Sequence, residues 1–156
     1  MYAIWANCSA QSLNNAGNLL DSNSSTFESG SSSWTCYDND AWSIASESGR
    51  NGNYLKLTNT GAGNDWDKQM EYSLSGHTPA KGKKYVIKFW ARKVSGSGQI
   101  KVLLQKNEHP TYPQQAFNGM NDINGKPFTV SNDWTHYEFD ITANEGDYEV
   151  IKMSPL

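Results

Sequence analysis

The chain has 156 residues, of which 37% are hydrophobic, 19% charged and 12% aromatic, and its formal net charge is −3. This length predicts one folded domain over residues 1–156, and the aromatic content excludes an intrinsically disordered chain. Because binding to nucleic acid or to an anionic membrane depends on many cationic contacts, the slightly acidic balance argues against both partners. No apolar run approaches the roughly 20 residues that cross a bilayer, and the N-terminal segment lacks the features of a signal peptide.

Apolar and polar residues alternate in short segments, which is typical of β-strands and not of helices. In chain order these segments are residues 54–58, 69–74, 85–92, 100–105 and 134–141. Turn-forming residues such as Asn51 and Gly52 separate them. Two longer connections, residues 21–33 and 107–127, lie outside the predicted strands. Strands at this spacing without intervening helices predict an all-β fold, either an antiparallel β-sandwich or a barrel.

Period-two alternation assigns the side chains of each predicted strand to one of its two faces. The inward-facing residues are Tyr85, Ile87, Phe89 and Ala91, then Ile100, Val102 and Leu104, and finally Tyr137, Phe139 and Ile141. The same three strands place Trp90, Arg92, Gln105, His136 and Glu138 on their solvent side. If the strands share one sheet, these five side chains form a single face.

Such a face would combine aromatic surface with hydrogen-bonding groups, which is the combination that a sugar requires. The C–H groups of a pyranose stack on Trp or Tyr, and its hydroxyls pair with Gln, Glu or Arg side chains. The alternative is that a loop covers the tryptophan and that the charged residues form an ordinary solvated surface. The residues alone leave both interpretations open.

The order of several short motifs resembles the carbohydrate-binding modules of families four/nine, sixteen and twenty-two. The motifs are Asn18-Leu-Leu20, Phe27-Glu-Ser-Gly30, Trp34, Gly52-Asn-Tyr-Leu-Lys-Leu57, Trp66-Asp-Lys-Gln69, Gly82-Lys-Lys-Tyr-Val-Ile-Lys-Phe-Trp-Ala91, Val102-Leu-Leu-Gln105 and Asp133-Trp-Thr-His-Tyr-Glu-Phe139. The resemblance covers about residues 18–142 and leaves residues 1–17 as an N-terminal extension or an edge strand. It implies a β-jelly-roll sandwich without catalytic activity, which is attached to a secreted glycoside hydrolase and acts as a monomer.

The same resemblance implies individual binding residues. In xylan-binding relatives a Glu four residues after the Trp of the penultimate strand contacts the sugar, which implies Glu138 after Trp134. In cellulose- and mannan-binding relatives a Trp soon after the Phe-Glu-x-Gly motif stacks on sugar, which implies Trp34 here, with a place in the core as the alternative. Strand glutamines take part in those relatives as well. The expected carbohydrate-binding set is Trp34, Gln69, Trp90, Arg92, Gln105, Tyr112 and Glu138.

A structural calcium ion is a further expectation from the resemblance. In the family the Glu of Phe-Glu-x-Gly, here Glu28, joins an Asp from a closing Ile-Asp-Asp/Asn-Val strand at that ion. Residues 148–156 lack this pattern, so either the strand is missing or the N-terminal segment 2–6 fills the sheet edge. Glu28 supplies one of the roughly six to eight oxygen ligands that calcium takes, and one Ca²⁺ is the only cofactor expected.

Cysteine and histidine positions do not indicate catalysis. Cys8 and Cys36 allow one disulfide or two thiols and are too few for a zinc site. His77, His109 and His136 lie without metal-ligand spacing, and no familiar catalytic motif is present. A glycosidase would need only two carboxylates at the right separation in space, which the sequence does not exclude.

The sequence therefore predicts a secreted, non-catalytic module that binds a β-linked plant glycan, whether xylan, β-glucan or cellulose, or mannan, and targets a linked hydrolase to it. The alternative is a protein-interaction or adhesion module on the same sandwich fold. A third hypothesis, single-stranded nucleic acid, draws on six basic residues between positions 81 and 93 near Trp90. It requires a steep salt dependence, whereas the binding of a neutral polysaccharide is nearly independent of salt.

Overall fold

The computed structural model describes residues 2–12, 27, 33–36, 42–48, 52–58, 68–120 and 127–156, the first of these ranges as backbone only. They form the strands β1 (Tyr2–Ser12), β2 (Trp34–Cys36), β3 (Trp42–Ala45), β4 (Tyr54–Leu57), β5 (Met70–Ser73), β6 (Lys84–Lys93), β7 (Gln99–Gln105), β8 (Gln114–Ala116), β9 (Phe128–Thr129), β10 (Thr135–Thr142) and β11 (Val150–Pro155). Within these ranges no helix has the length and apolar character needed to cross a membrane.

The strands form two antiparallel sheets that pack face to face. Sheet A has the order β10-β6-β1-β4-β3, and sheet B has the order β2-β5-β11-β7-β8 with β9 beside β7. One hydrophobic cluster contains residues of both sheets and fills the space between them. This arrangement confirms the predicted all-β antiparallel sandwich of the jelly-roll class.

The core follows the predicted alternation. In β6 the inward side chains Tyr85, Ile87, Phe89 and Ala91 are at most 7% exposed, whereas Trp90 between them is only partly buried. Fully burying one apolar side chain of this size stabilises the fold by roughly 1.5–3 kcal/mol. The inward-facing residues predicted for β7 are buried as well, and so is Ile141 of β10. Alternation therefore identified the core side of these three strands.

The position of β1 corrects the expectation of an N-terminal extension or edge strand. The strand lies in the interior of sheet A, where Tyr2 to Trp5 pair with β4 on one side and with β6 on the other. A register shift between Trp5 and Ser9 separates this part from a second part that pairs with β6 over Ser9 to Ser12. The register shift interrupts the alternation of apolar and polar residues, which hides an 11-residue strand from a search for periodicity.

Strand β11 extends the sandwich beyond the segment that carried the resemblance. It lies between β5 and β7 in sheet B, and every one of its six residues is buried. The strand contains Lys152 and Ser154, which face the opposite way from the core residues Ile151 and Met153. A closing strand is therefore present although its sequence lacks the aspartates that the family resemblance leads one to expect.

The connection expected over residues 107–127 contains a strand. Gln114 to Ala116 form β8, which pairs with β7 through a hairpin that includes a cis peptide bond between His109 and Pro110. Three residues with two glutamines carry too little apolar alternation to predict a strand. The hairpin places residues 106–113 at one end of sheet B.

Proline substitutions test the interior position of β1. Successive N–H groups of a strand point to opposite neighbours, so Ala3→Pro and Ile4→Pro should each remove a hydrogen bond, one towards β4 and one towards β6. Each should lower the free energy of unfolding by about 3 kcal/mol or more, as measured by urea denaturation. Ile4→Ala reports the loss of the isoleucine side chain alone. If one of the two prolines is tolerated, β1 has a free edge and the pairing described above is wrong.

Candidate functional site

The structure does not bring the seven predicted binding residues together. Trp90, Arg92 and Glu138 belong to the outer face of sheet A, called face A below. Gln69 and Gln105 belong to the outer face of sheet B, called face B, and Tyr112 lies on the hairpin at its end. The single face expected from three strands is wrong because β7 lies in the other sheet. Alternation shows which side chains share one side of a strand, but it does not show which strands share a sheet.

Trp34 is a core residue. Its side chain is 2% exposed and packs against Tyr72, with the two ring centroids 5.4 Å apart. It therefore offers no ring face to a sugar, and the stacking role expected for it is wrong. The alternative stated with that expectation, a place in the core, is correct.

Face B carries polar side chains in two rows across the sheet. Strand register places Ser73, Val150, Gln105 and Gln114 in one row. The adjacent row contains Glu71, Lys152, Leu103 and Ala116. Although these residues point away from the core, Gln105 is 3% exposed, Lys152 7% and Ser154 3%. The middle of face B, on β7 and β11, is therefore recessed and shielded from bulk water, whereas Ser73 and Gln114 at its margins are exposed.

The amide groups of the first row are hydrogen-bonded in series. Gln114 Nε2 donates to Gln105 Oε1 at 2.7 Å, and Gln105 Nε2 donates to Asn107 Oδ1 at 3.2 Å. The N–H of Asn107 donates to the Glu149 carboxylate at 2.8 Å. Since a buried amide without a partner costs free energy, this series fixes the orientation of both glutamines.

The second row contains a compensated charge. Lys152 Nζ lies 2.6 Å from Glu71 Oε1 and 3.2 Å from Gln69 Oε1. The Ser154 hydroxyl, farther along β11, is buried and has no hydrogen-bond partner among the described residues. Face B thus offers donors and acceptors close together with no net charge from this pair.

Gln115 anchors the strand that carries Gln114. Its Nε2 donates to the Thr142 carbonyl at 2.8 Å, and its Oε1 accepts from the Asn144 N–H at 2.9 Å and from the Tyr148 hydroxyl at 3.1 Å. Burial raises the pKa of Tyr148 above the ordinary tyrosine value, and its hydroxyl is protonated at neutral pH in any case. These bonds connect the short strand β8 to the β10–β11 connection and hold the edge of face B in place.

A cavity of 480 Å³ continues face B beyond the end of the first row. It lies where β5 and β7 end, and its lining is mainly polar: Ser73, Ser75, Gly76, Thr78, Asn107, Glu149 and Val150. Ser73 and Val150 also belong to the first row, so the cavity and the row are continuous. Its volume lies in the range of pockets that hold small organic ligands.

Tyr112 is the exposed aromatic residue at this end of sheet B. Its side chain is 42% exposed, its backbone has a φ of 44°, and its ring meets the edge of His109 at 5.8 Å. The hairpin that carries it starts directly after Gln105 and returns at Gln114. The predicted residues Gln105 and Tyr112 therefore lie at the same end of sheet B, whereas Gln69 lies towards the other end, beside Lys152.

Face A has a different character. His136, Trp90 and Tyr54 occupy one register row across β10, β6, β1 and β4, in which Trp5 is the position on β1. The rings of Trp90 and His136 lie 5.4 Å apart. Glu138, expected to contact sugar, forms an ion pair with Lys88 at 3.0 Å. Lys84 and Asp140 pair in the same way at 2.6 Å, so both ion pairs lie on the same side of the aromatic row.

Arg92 is held by a cluster that reaches across face A. Its Nη2 lies 2.6 Å from Glu47 Oε2, and its guanidinium lies 5.4 Å from the centre of the Trp134 ring. Trp134 Nε1 donates to the other oxygen of Glu47 at 2.5 Å, and its ring meets the edge of Tyr54 at 5.7 Å. The name Glu47–Arg92–Trp134 cluster is used for this group. It connects β3 and β4 to β6 and β10.

The calcium and disulfide expectations fall largely outside the described residues. Glu28 and the Cys8 side chain are not among them, so both expectations stay predictions. Within the described residues there is no group of three His, Cys, Asp or Glu side chains that could hold a metal ion. The three histidines belong to separate loops and strands, as their spacing in the sequence predicted.

Similarity to a protein-family model shows which family the chain belongs to. A family model described as a carbohydrate binding domain, of the family four/nine type, matches residues 22–154, which is most of the chain. The chain belongs to this family. Neither the search of curated proteins nor the search of solved structures found a match. A carbohydrate-binding domain binds sugar rather than transforming it, and the matched range contains both face B and the greater part of face A.

Sequence analysis of this carbohydrate-binding domain missed several residues of face B. Gln114 lies in a strand too short to predict, and Lys152 and Ser154 lie in a strand beyond the resembling segment. Strand β11 could have been predicted from the alternation of Val150, Lys152 and Ser154 with the core residues Ile151 and Met153. No pattern in the sequence indicates that Asn107 and Glu149 meet at the end of the sheet.

The Glu47–Arg92–Trp134 cluster should stabilise the domain. The two charged side chains are 24% and 29% exposed, so removal of either leaves the other incompletely paired in a partly buried place. Glu47→Ala and Arg92→Ala should each lower the free energy of unfolding by about 1.5–3 kcal/mol, with a coupling of at least about 1 kcal/mol in a double-mutant cycle. The more exposed pair Lys88 and Glu138 is the control and should show less than about 1 kcal/mol. Equal coupling in the two cycles would contradict this assignment.

The pair Lys84 and Asp140 predicts a pH effect. Hydrogen bonds from Lys84 and then Asn118 lower the pKa of Asp140 below its ordinary value of 3.8. A carboxyl whose pKa is lower in the folded state contributes stability above its unfolded pKa and loses it as pH falls through the folded pKa. The difference in melting temperature between the wild type and Asp140→Asn should therefore be present at pH 6 and shrink below pH about 4. A difference that is constant from pH 6 to pH 2.5 would show that the pair has no such effect.

Proposed function

We propose that this carbohydrate-binding domain holds a neutral polysaccharide chain along face B. The observation that carries the proposal is the hydrogen-bonded pair of amides on the outer side of the sheet, in which the exposed Gln114 donates to the buried Gln105. A core has no need of amides there, because these side chains point away from it. A recessed face with fixed amides suits a ligand that supplies many hydroxyl groups.

The hydrogen-bonding chemistry matches sugar hydroxyls. Each hydroxyl is both a donor and an acceptor, and a glutamine side chain presents both kinds of group in one plane. Lys152 and Glu71 repeat this combination with an ammonium donor beside a carboxylate acceptor. Because their charges compensate each other, we expect the affinity for a neutral glycan to depend little on salt.

Tyr112 and the adjoining cavity supply the remaining elements. A sugar ring stacks its C–H groups on an exposed aromatic side chain, and Tyr112 is placed at the end of the amide row for this role. The cavity lined by Asn107 and Glu149 is large enough for a sugar residue at the end of a chain or for a branch. Side chains that are already held in place lose little conformational entropy when a ligand binds, which favours affinity.

The family resemblance supports the finer parts of the proposal. The ligand is a β-linked plant polysaccharide, namely xylan, β-glucan or cellulose, or mannan. The domain is extracellular and directs a covalently linked glycoside hydrolase to that substrate. Glu28 and one structural calcium ion belong to this proposal as well, in the role that the family motif implies.

Affinity electrophoresis tests face B directly. Gels that contain xylan, barley β-glucan, hydroxyethyl cellulose or glucomannan should retard the wild type in at least one case, independently of salt. The double variant Gln105→Leu with Gln114→Leu keeps the side-chain volume but removes the amides, and it should bind about tenfold more weakly or worse. Asn132→Ala removes an exposed amide from a different loop and should bind as the wild type does.

Three results would contradict the proposal. Retardation that survives unchanged in the double variant, whose folding is checked by its melting temperature, would place the glycan elsewhere. Absence of retardation in every gel would exclude these glycans and favour the protein-interaction alternative. Retardation that disappears in salt would instead indicate a charged ligand.

A further inference from the structure

We infer that face A carries a second glycan site, so that one domain holds polysaccharide on two opposite sides. The inference takes only the class of ligand from the proposed function, because its residues belong to the other sheet. Face A and face B point away from a shared core, and one sugar residue cannot contact both. The two sites would therefore act on different chains or on distant parts of one chain.

An aromatic row crosses face A. Register aligns His136, Trp90 and Tyr54 across four neighbouring strands. With strands about 4.8 Å apart, the row extends over roughly 14 Å. Trp90 is only partly buried and His136 is exposed, so solvent reaches the middle and one end of the row. Such a row runs across the strands and offers a surface to an extended ligand.

The cations of β6 on face A are all paired with carboxylates. Lys84, Lys88 and Arg92 are the cations that β6 presents on this face, and each is paired with a carboxylate at 2.6–3.0 Å. Paired cations do not provide the unbalanced positive charge that a nucleic acid or an acidic glycan needs. A neutral ligand with an apolar side and hydroxyl groups fits a face where a row of aromatic rings lies beside ion pairs.

The Trp134 ring beside the aromatic row is held rigidly. The Glu47–Arg92–Trp134 cluster fixes the Trp134 ring through its indole N–H, its contact with the guanidinium and its edge contact with Tyr54. Trp134 directly precedes β10 and stands one register row from Trp90 and His136. The aromatic row therefore has a fixed ring beside it, and little side-chain freedom is lost when a ligand binds.

Binding stoichiometry tests the two-site inference. Isothermal titration with cellohexaose, xylohexaose and mannohexaose should give two sites per chain for the wild type with at least one of them. Trp90→Ala should reduce this number to one, and the variant with Gln105→Leu and Gln114→Leu should also retain one. The combination of all three substitutions should bind at least 100-fold more weakly than the wild type.

Control variants distinguish the loss of a ring from the loss of the fold. Val94→Ala removes an exposed apolar side chain directly after β6 and should keep both sites. Trp90→Tyr keeps an aromatic ring and should restore the second site if Trp90→Ala unfolds. The wild type should also cross-link barley β-glucan, xylan or glucomannan into turbid suspensions, whereas each one-site variant should not.

The possible outcomes separate this inference from the proposed function. If Trp90→Ala retains the wild-type stoichiometry and cross-linking, face A is not a glycan site, while the role of face B stands. If the glutamine double variant binds as the wild type does and Trp90→Ala abolishes binding, face A is the sole site and both the two-site inference and the face B proposal fail. If a folded wild type binds no hexasaccharide and cross-links no polysaccharide, both also fail.

Discussion

The packing of the two sheets against each other determines the position of every proposed binding residue. In a strand, neighbouring side chains point to opposite sides, so the residues that fill the core decide which residues line the outer faces. Burial of Ile87, Phe89 and Ala91 leaves Trp90 on face A, and burial of Val102 and Leu104 leaves Gln105 on face B. A shift of one residue in register would move an entire binding face into the core. The packing of the apolar core therefore also determines where the polar and aromatic side chains of the two outer faces lie.

The two outer faces differ in how far their side chains are exposed to solvent. Face B is recessed, and its amides and its Lys152–Glu71 pair are satisfied by one another before any ligand arrives. Face A is more open, and its charges are paired across strands beside an aromatic row. Hydrogen bonds to shielded polar groups favour specificity, because a ligand that leaves such a group without a partner loses affinity. Stacking on an open face favours tolerance, because sugars of several kinds present a C–H side.

Much of the fold could be predicted from the sequence, but less of the site. Strands β6, β7 and β10 and their core sides follow from alternation alone, since a half-buried strand must repeat every two residues. The interior position of β1 could not be predicted, because pairing depends on residues far away in the chain. The same limit explains why Gln105 and Trp90 were placed on one face when they lie on opposite faces. Trp34 shows the related problem that a large aromatic residue suits a core as well as a sugar platform.

The interior position of β1 has a consequence for synthesis of the chain. Its partner β4 starts at Tyr54 and its partner β6 starts at Lys84, so β1 is synthesised well before the two strands that it pairs with. At about 5–20 residues per second, translation of the intervening segment takes roughly 4–16 seconds. During this time the nascent strand has two unpaired edges on a growing chain. The centre of sheet A can form only when β1, synthesised earlier, is inserted between β4 and β6, and β10 adds to the other side of β6 once residues 135–142 have been made.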